Sequence, residues 1–184
     1  SPMCAVSRMV KAQDPETVAV FIGPCVAKKS EAMDKDIKDN ADYVLTVGEL
    51  RAMLKAKDVK VEPAENDYQR ASVFGKRFGN SGGVTNAVLQ SLKEENQNED
   101  ITVTVCNGAQ ECKKALLMMQ AGKLKTDFIE GMACVGGCVG GPSKHKSEIE
   151  TKRFRDKLIK EADGRNILEN LADVDLDSFS MHRD

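Results

Sequence analysis

Short apolar runs that suit β-strands alternate along this chain with segments in which apolar residues recur every three or four positions. The first strand is predicted at residues 17–22, where a continuous apolar run is typical of a strand covered on both faces. Further strands are expected at residues 43–46, 101–105 and 127–130, with a short edge strand at 59–61. Because strands that alternate with helices form parallel sheets flanked by helices, we expect an α/β fold with a mainly parallel sheet.

In the segments around these strands, apolar residues are spaced as on one face of a helix. A helix is predicted at residues 3–11, a second after residue 46, a third after the glycine-rich loop at 74–83, a fourth after Cys106 and a last one at 149–171. The polar stretches at 34–42 and 58–71 are expected to be loops. The residues expected to face inward from the later helices are Leu50, Met53, Leu54, Val84, Ala87, Val88, Leu92, Cys112, Ala115, Leu116, Met119, Phe154, Leu158 and Ile159.

Composition narrows the classes of function. With 184 residues, 41% of them hydrophobic, the chain can bury a core and is most simply one domain, with two small lobes as the other option. A formal charge of −2 with mixed signs gives no field suited to nucleic acid or to an anionic membrane. The sequence shows neither a transmembrane run nor a signal peptide, so we expect a cytoplasmic protein without membrane insertion. The Ser1-Pro2-Met3 opening suggests a piece of a longer polypeptide.

Six cysteines are present, at positions 4, 25, 106, 112, 134 and 138. In a reducing compartment they serve a metal, catalysis or the core rather than disulfides. Cys25, Cys134 and Cys138 each lie in a turn just after a predicted strand, and the carboxyl ends of parallel strands share one edge of a sheet. Each alone favours a structural role, but three thiolates at one edge indicate a soft metal centre, either iron–sulfur or zinc.

The segment at 131–142 is the most specific feature, with two cysteines four positions apart among five glycines. Glycines let a backbone wrap closely around an inorganic cluster. Zinc is the weaker option because only one close cysteine pair exists, and the dense cysteine run of ferredoxins is absent. Cys106 is a minor candidate for the same edge, Cys4 is a weaker one, and Cys112 is expected to be a core residue.

Three other residues qualify as candidates for a site. Lys28 follows Cys25 by three positions and could donate hydrogen bonds to an anionic ligand, and Glu31 could hold that lysine in place. Each is more often an ordinary surface residue. His145, in a lysine-rich stretch, is expected to be exposed rather than a ligand. Gly82-Gly83, ahead of a helix, gives a weak signal for anion binding by backbone amides.

Two motifs carry a resemblance to a known family. The segments FIGPCVAKKSEA (21–32) and EGMACVGGCVGGP (130–142) resemble the second and third signature motifs of the catalytic domain of FeFe-hydrogenases. Ser1-Pro2, the segments at 43–46 and 79–84, and Glu49-Leu50 extend the likeness in the family's order. The resemblance implies that residues 1–184 form one lobe of a hydrogenase H-cluster domain, lacking the first cysteine motif and any ferredoxin-like domains.

The resemblance also implies a cofactor and a role for each matching residue. In that family a 4Fe–4S cubane is joined through a cysteine sulfur to a di-iron unit that carries carbon monoxide, cyanide and a bridging dithiolate. Cys25 and Cys134 would ligate the cubane, and Cys138 would ligate it and bridge to the di-iron unit. Lys28 would hydrogen-bond a cyanide and Met132 would pack against the di-iron unit, with Glu31 supporting the lysine.

Departures from the family pattern shape the functional hypothesis. Gly23 stands where the family usually has methionine, and Met3 stands where catalytic members commonly have glutamine, as in the sensory branch. The parent polypeptide is expected to interconvert H₂ with protons and electrons in an anaerobe, exchanging electrons with ferredoxin or another redox partner, or to sense H₂. The isolated chain, without the upstream part of the same polypeptide, is expected to be inactive and to hold no complete cluster. An iron–sulfur assembly or scaffold protein without hydrogen chemistry, and a cluster-free interaction domain, are the alternatives.

Overall fold

A computed structural model describes residues 1–62, 71–97 and 100–182. The chain divides into two compact units. The first unit comprises Ser1–Glu62, Pro142–His145 and Val174–Asp184, and the second comprises Pro63–Gly141 and Lys146–Asp173. In the described part of the chain, none of the helices combines the length and the apolar character that crossing a bilayer would require.

The first unit is built on two parallel strands. Its elements are helix α1 (Pro2–Gln13), strand β1 (Val20–Gly23), helix α2 (Ala27–Ala32), strand β2 (Tyr43–Thr46), helix α3 (Val47–Ala56) and a 3-10 turn (Leu176–Ser178). Strand β1 pairs with β2 in register, with Val20 opposite Tyr43 and Gly23 opposite Thr46. One face of this pair is covered by a small core of Met3, Ala41 and Val44, against which Phe21 and Ala32 pack.

Strand β2 passes directly into helix α3 through a capping box. The Thr46 hydroxyl accepts a hydrogen bond from the Glu49 amide at 3.2 Å, and the Glu49 carboxylate accepts one from the Thr46 amide at 2.8 Å. Lys29 also donates to this carboxylate at 2.9 Å. The Lys29 hydrogen bond, followed by those from Thr46, lowers the pKa of Glu49 to about 2.

Arg8 holds the carboxyl-terminal segment against α1. Its side chain is buried and donates to the carbonyl oxygens of Lys38, Ser180 and His182. Sequence patterns offered no interpretation of this tail, because a single arginine on a helix reveals nothing about an acceptor 172 residues away. The arginine is therefore a structural anchor for a segment that has no periodicity of its own.

The second unit repeats the parallel arrangement. Its elements are α4 (Val73–Arg77), α5 (Gly83–Glu94), β3 (Val103–Asn107), α6 (Ala109–Gln120), β4 (Phe128–Met132), a 3-10 turn (Cys138–Gly140), α7 (Glu148–Lys160) and α8 (Ile167–Leu171). Strand β3 pairs with β4, with Val103 opposite Phe128 and Asn107 opposite Met132. The predicted α/β class with parallel strands flanked by helices is confirmed, in the form of two short two-stranded sheets.

Several details of the predicted strands are wrong. Strand β1 begins at Val20 rather than at residue 17, and Val18, Val20 and Ile22 are 63%, 47% and 47% exposed, so this strand is covered on one face only. Residues 59–61, which the structure describes, form no strand. Within the predicted loop at 58–71, residues 63–70 lie outside the described residues. The third strand, Val103–Asn107, lies two residues later than expected, and the fourth, Phe128–Met132, begins one residue later and ends two residues later.

The predicted helices are correct in place but partly wrong in orientation. The segment 149–171 forms two helices, α7 and α8, rather than one, and Phe154 is 63% exposed instead of inward-facing. On α6 the small residue Ala115 is buried, whereas Leu116 and Met119 are about half exposed. Met53 and Leu158 are also exposed. Helix α6 therefore packs through the small residue Ala115 and leaves its larger apolar side chains exposed. Large apolar residues are usually expected to be the buried ones.

Candidate functional site

The turn after strand β4 carries Cys134 and Cys138. Gly136 and Gly137 have positive φ angles of 83° and 85°, which L side chains rarely adopt and which favour glycine. The Gly137 amide donates to the Cys134 carbonyl at 3.0 Å, which closes the turn between the two cysteines. Cys134 is half-buried and Cys138 is exposed. The turn therefore presents two thiols on one short, constrained piece of backbone.

Two hydrogen bonds brace this turn from neighbouring elements. The Gly136 amide donates to the side-chain oxygen of Asn107 at 2.7 Å, and the Cys138 amide donates to the Gly79 carbonyl at 2.7 Å. Asn107 is the last residue of β3, and Gly79 precedes α5. The braces come from both sides of the turn, so its position is set by tertiary contacts as well as by its glycines.

Gly137 lies directly against the loop that contains Gly79. A Cβ added at Gly137 would lie 2.3 Å from the Gly79 carbonyl oxygen and 2.8 Å from the Asn80 Cα, far inside normal contact distance. A Cβ added at Gly136 would meet nothing within 4 Å. The turn is thus packed on the Gly137 side and open on the Gly136 side, which leaves room for a bound group there.

Glu130 anchors the same loop from strand β4. The side chain is buried, with 3% of the residue exposed. Its carboxylate accepts hydrogen bonds from the Gly82 amide at 2.7 Å, the Thr85 amide at 2.8 Å and the Thr85 hydroxyl at 2.7 Å. The Gly82 amide therefore donates to the carboxylate of Glu130 in the same chain. The weak signal for anion binding at Gly82-Gly83 thus needs no external ligand.

Asn107 and Glu130 are site residues that the sequence analysis missed. Asn107 lies two residues beyond the predicted strand at 101–105, where polar residues are ordinary, so nothing marked it. Glu130 carries a signal, since an acidic residue inside a short apolar strand must find donors if it is buried. Which donors it finds could not be read from the strand itself.

Cys25 and Lys28 lie in the first unit. Strand β1 ends at Gly23, Cys25 follows it, and α2 begins at Ala27. The Lys28 ammonium lies 2.5 Å from the Glu31 carboxylate, and the Ser1 hydroxyl also donates to that carboxylate. Although burial raises the pKa of Glu31, the hydrogen bonds from Lys28 and Ser1 outweigh it and hold that pKa below its ordinary value. Glu31 does hold Lys28 in place, as expected.

The remaining cysteines have structural positions. Cys4 and Cys106 are buried, and burial, with a smaller contribution from Cys112, raises the pKa of the Cys106 thiol. A raised pKa keeps that thiol protonated and makes it a poor ligand. Cys112 is half-buried rather than fully in the core, and its thiol lies 3.7 Å from the Met132 carbonyl oxygen. The burial of Cys106 favours a structural position over the minor functional role considered from sequence.

Met132 and His145 are the last two candidates. Met132 is half-buried at the end of β4, two residues before Cys134. His145 is exposed, and its imidazole lies close above Gly48, where an added Cβ would be 2.9 Å from the ring. An exposed histidine packed on a glycine is consistent with the expectation that it is not a ligand.

The joint cysteine site stays a prediction. Cys25 belongs to the first unit, whereas Cys134 and Cys138 belong to the second. Across residues 1–62, 71–97 and 100–182, no group of three or more His, Cys, Asp or Glu side chains is arranged to hold a metal ion. The chemistry of the donors nevertheless fits an iron–sulfur group, because two thiols on an open glycine turn are soft ligands of the kind that iron–sulfur clusters use.

Curated proteins similar to this chain include an iron hydrogenase and a probable iron–sulfur cluster assembly factor. The chain is 31% identical to iron hydrogenase 1 of Clostridium pasteurianum over 191 residues, which covers 79% of this chain and 33% of that protein. It is 26% identical to the probable cytosolic Fe-S cluster assembly factor oxy-4 of Caenorhabditis elegans, covering 74% of this chain and 38% of the relative. The chain thus spans between a third and two fifths of the length of these curated relatives.

Among solved structures, a variant of the FeFe-hydrogenase HydA1 from Chlamydomonas reinhardtii is similar in fold. It matches with a TM-score of 0.64 and 22% identity, covering 92% of this chain and 62% of the other. A family model for the C-terminal domain of the iron only hydrogenase large subunit matches residues 1–142. The matched range includes Cys25, Lys28, Cys134 and Cys138. The chain therefore belongs to the family formed by the C-terminal domains of iron only hydrogenase large subunits.

Proposed function

We propose that this chain supplies the Cys25, Cys134 and Cys138 thiolates to the H-cluster of an FeFe-hydrogenase-like protein. The parent polypeptide then interconverts H₂ with protons and electrons, or senses H₂, in the cytoplasm. The observation that carries the proposal is the braced turn, in which two thiols four residues apart are fixed by hydrogen bonds at Gly136 and Cys138. A turn held this firmly is preorganised to bind a cluster.

Each candidate site residue has a role in this proposal. Cys25 and Cys134 would hold a 4Fe–4S cubane, and Cys138 would be a ligand of both the cubane and the di-iron unit. When bound, the cluster supplies the redox-active iron at which H₂ is made or consumed. Lys28, held by Glu31, offers donors to a cyanide ligand, and Met132 provides apolar contact.

The turn that carries Cys25 has a backbone hydrogen bond of its own within the first unit. The Ser143 amide donates to the carbonyl of Pro24, the residue before Cys25, at 3.4 Å. Ser143 follows Cys138 by five positions in the sequence. The upstream part of the same polypeptide provides the ligands that this chain lacks, and ferredoxin or another redox partner exchanges electrons with the centre.

The test uses the full-length polypeptide that carries this chain, produced with the hydrogenase maturation machinery. We expect infrared bands from carbon monoxide and cyanide, and H₂ evolution with a reduced viologen. The variant Cys138→Ala should lose both signals. The matched variant Cys112→Ala should retain them, because the Cys112 thiol faces the Met132 carbonyl. A matured wild-type protein with no diatomic ligands and no hydrogen chemistry would refute the proposal.

A second candidate function is iron–sulfur assembly without hydrogen chemistry. The similarity to the oxy-4 protein, whose name describes a probable Fe-S cluster assembly factor, favours it. Here the same thiolates hold only a cubane. Iron and sulfide analysis of the full-length protein distinguishes the two functions, since a single cubane with no infrared bands from diatomic ligands supports assembly. If Cys134→Ala and Cys138→Ala alter stability alone, neither cluster function holds and an interaction domain is the better description.

A further inference from the structure

Glu130 is a buried charge that none of the ligand roles above uses. It lies on β4, four residues before Cys134, and only 3% of the residue is exposed. A buried carboxylate is costly unless it is well hydrogen-bonded. Its three donors all come from Gly82 and Thr85 at the start of α5, at 2.7 to 2.8 Å. The residue therefore ties strand β4 firmly to the first turn of that helix.

The backbone that Glu130 holds is the backbone on which Cys138 rests. Gly79, three residues before Gly82, accepts the hydrogen bond of the Cys138 amide at 2.7 Å. Gly137 packs against the same carbonyl, with no room for a Cβ. The Glu130 carboxylate is therefore hydrogen-bonded to the same loop that accepts the hydrogen bond of the Cys138 amide. Strand β4, which carries Glu130, leads directly to Cys134.

We propose that Glu130 is a positioning residue of the cluster site. Its carboxylate keeps the segment 79–82 seated against the cysteine turn and so fixes the Cys138 sulfur relative to the Cys134 sulfur. The consequence for iron binding rests on the proposed function, whereas the consequence for the turn does not. Partners that orient metal ligands commonly change metal affinity by about 10- to 100-fold when they are removed.

The experiment compares the wild-type full-length polypeptide with Glu130→Gln, Thr85→Val and a matched control, Glu95→Gln, on the exposed end of α5. Glutamine keeps the size of Glu130 but replaces one carboxylate oxygen with an NH₂ group, which faces a backbone amide donor in either orientation, that of Gly82 or that of Thr85. Valine is close in shape to threonine and removes only the hydroxyl donor. Glu95 is exposed and accepts a hydrogen bond from the Ser91 hydroxyl.

Two readouts are measured under anaerobic conditions. The first is the rate at which maleimide modifies Cys138 in the metal-free protein, followed by mass spectrometry. The second is the iron affinity after reconstitution, together with the electron paramagnetic resonance spectrum of the bound cluster. We expect Glu130→Gln to change the Cys138 rate severalfold, to weaken iron binding about 10-fold or more and to shift the spectrum. Thr85→Val should change each in the same direction but less, and Glu95→Gln should match wild type.

The outcomes separate this inference from the proposed function. A wild-type protein that binds no iron refutes the proposed function, and the Cys138 labelling rates then decide the role of Glu130 by themselves. Wild-type labelling and a wild-type spectrum in Glu130→Gln would overturn the inference. If circular dichroism shows that Glu130→Gln does not fold, Thr85→Val decides, and an unchanged Cys138 rate in that variant would overturn it equally.

Discussion

Replacing Gly137 by alanine tests how the cysteine turn is fixed, and Gly136→Ala provides a matched control. Both glycines have positive φ angles, 85° at Gly137 and 83° at Gly136, and Gly137 combines its φ with a ψ of −161°, a region that is essentially restricted to glycine. Backbone strain at a positive φ costs an alanine about 1–3 kcal/mol. Only at Gly137 does the new Cβ meet other atoms, at 2.3 Å from the Gly79 carbonyl oxygen. The difference between the two variants therefore reports the packing of the turn against that loop, together with any backbone strain specific to Gly137.

The expected loss of stability follows from how far the new Cβ must displace its neighbours. Contacts of Cβ atoms essentially never fall below 3.0 Å, so the Gly79 loop and the turn must separate by at least the 0.7 Å between 3.0 and 2.3 Å. Overpacking of this kind costs about 1–3 kcal/mol. The shift also strains the Cys138–Gly79 hydrogen bond, which contributes about 0.5–1.5 kcal/mol. We expect Gly137→Ala to be about 2–4 kcal/mol less stable than Gly136→Ala.

The difference in free energy of unfolding between the two variants is measured by urea unfolding monitored by circular dichroism. Wild type and both variants are compared in the same reducing buffer. Maleimide modification of Cys138 should also change in Gly137→Ala, because its backbone support has moved, and should stay at the wild-type rate in Gly136→Ala. If the two variants have free energies of unfolding within about 1 kcal/mol of each other, the close packing of the turn is not a constraint and the reasoning fails.

Two further predictions concern the brace at Asn107 and the capping box at Glu49. Asn107→Ala removes the acceptor of the Gly136 amide and should cost about 0.5–1.5 kcal/mol in urea unfolding, while Asn107→Asp, which keeps an acceptor oxygen, should restore most of that loss; equal losses in both variants would argue against the brace. The pKa of Glu49 is lowered from 4.5 to about 2, so its ionised form contributes stability in full above pH 4.5 and loses that contribution as the pH falls towards 2. The difference in free energy of unfolding between wild type and Glu49→Gln should therefore shrink as the pH is lowered from about 5 to about 2, and a constant difference would contradict the assigned hydrogen bonds from Lys29 and Thr46.

Local pattern predicted those parts of the site that depend on nearby residues. The cysteine pair within a glycine turn and the Lys28–Glu31 pair are both short-range features, and the structure has them where the sequence put them. The braces of the turn were not predictable in this way. Asn107 and Gly136 are 29 positions apart, and Glu130 and Gly82 are 48 apart. Hydrogen bonds over such separations depend on how strands and helices pack, which no local period encodes.

By itself the sequence determined the alternation of short strands and helices, the parallel pairing and the family motifs, because apolar periodicity and turn-forming glycines act within a few residues. The tertiary structure alone decided which faces are covered. It leaves Val20 and Ile22 half exposed on a strand that looks buried in sequence, and it buries Arg8 and Glu130, whose charges suggest a surface. Burial depends on what packs against a side chain, and a buried charge is stable only where the fold brings it enough donors or acceptors.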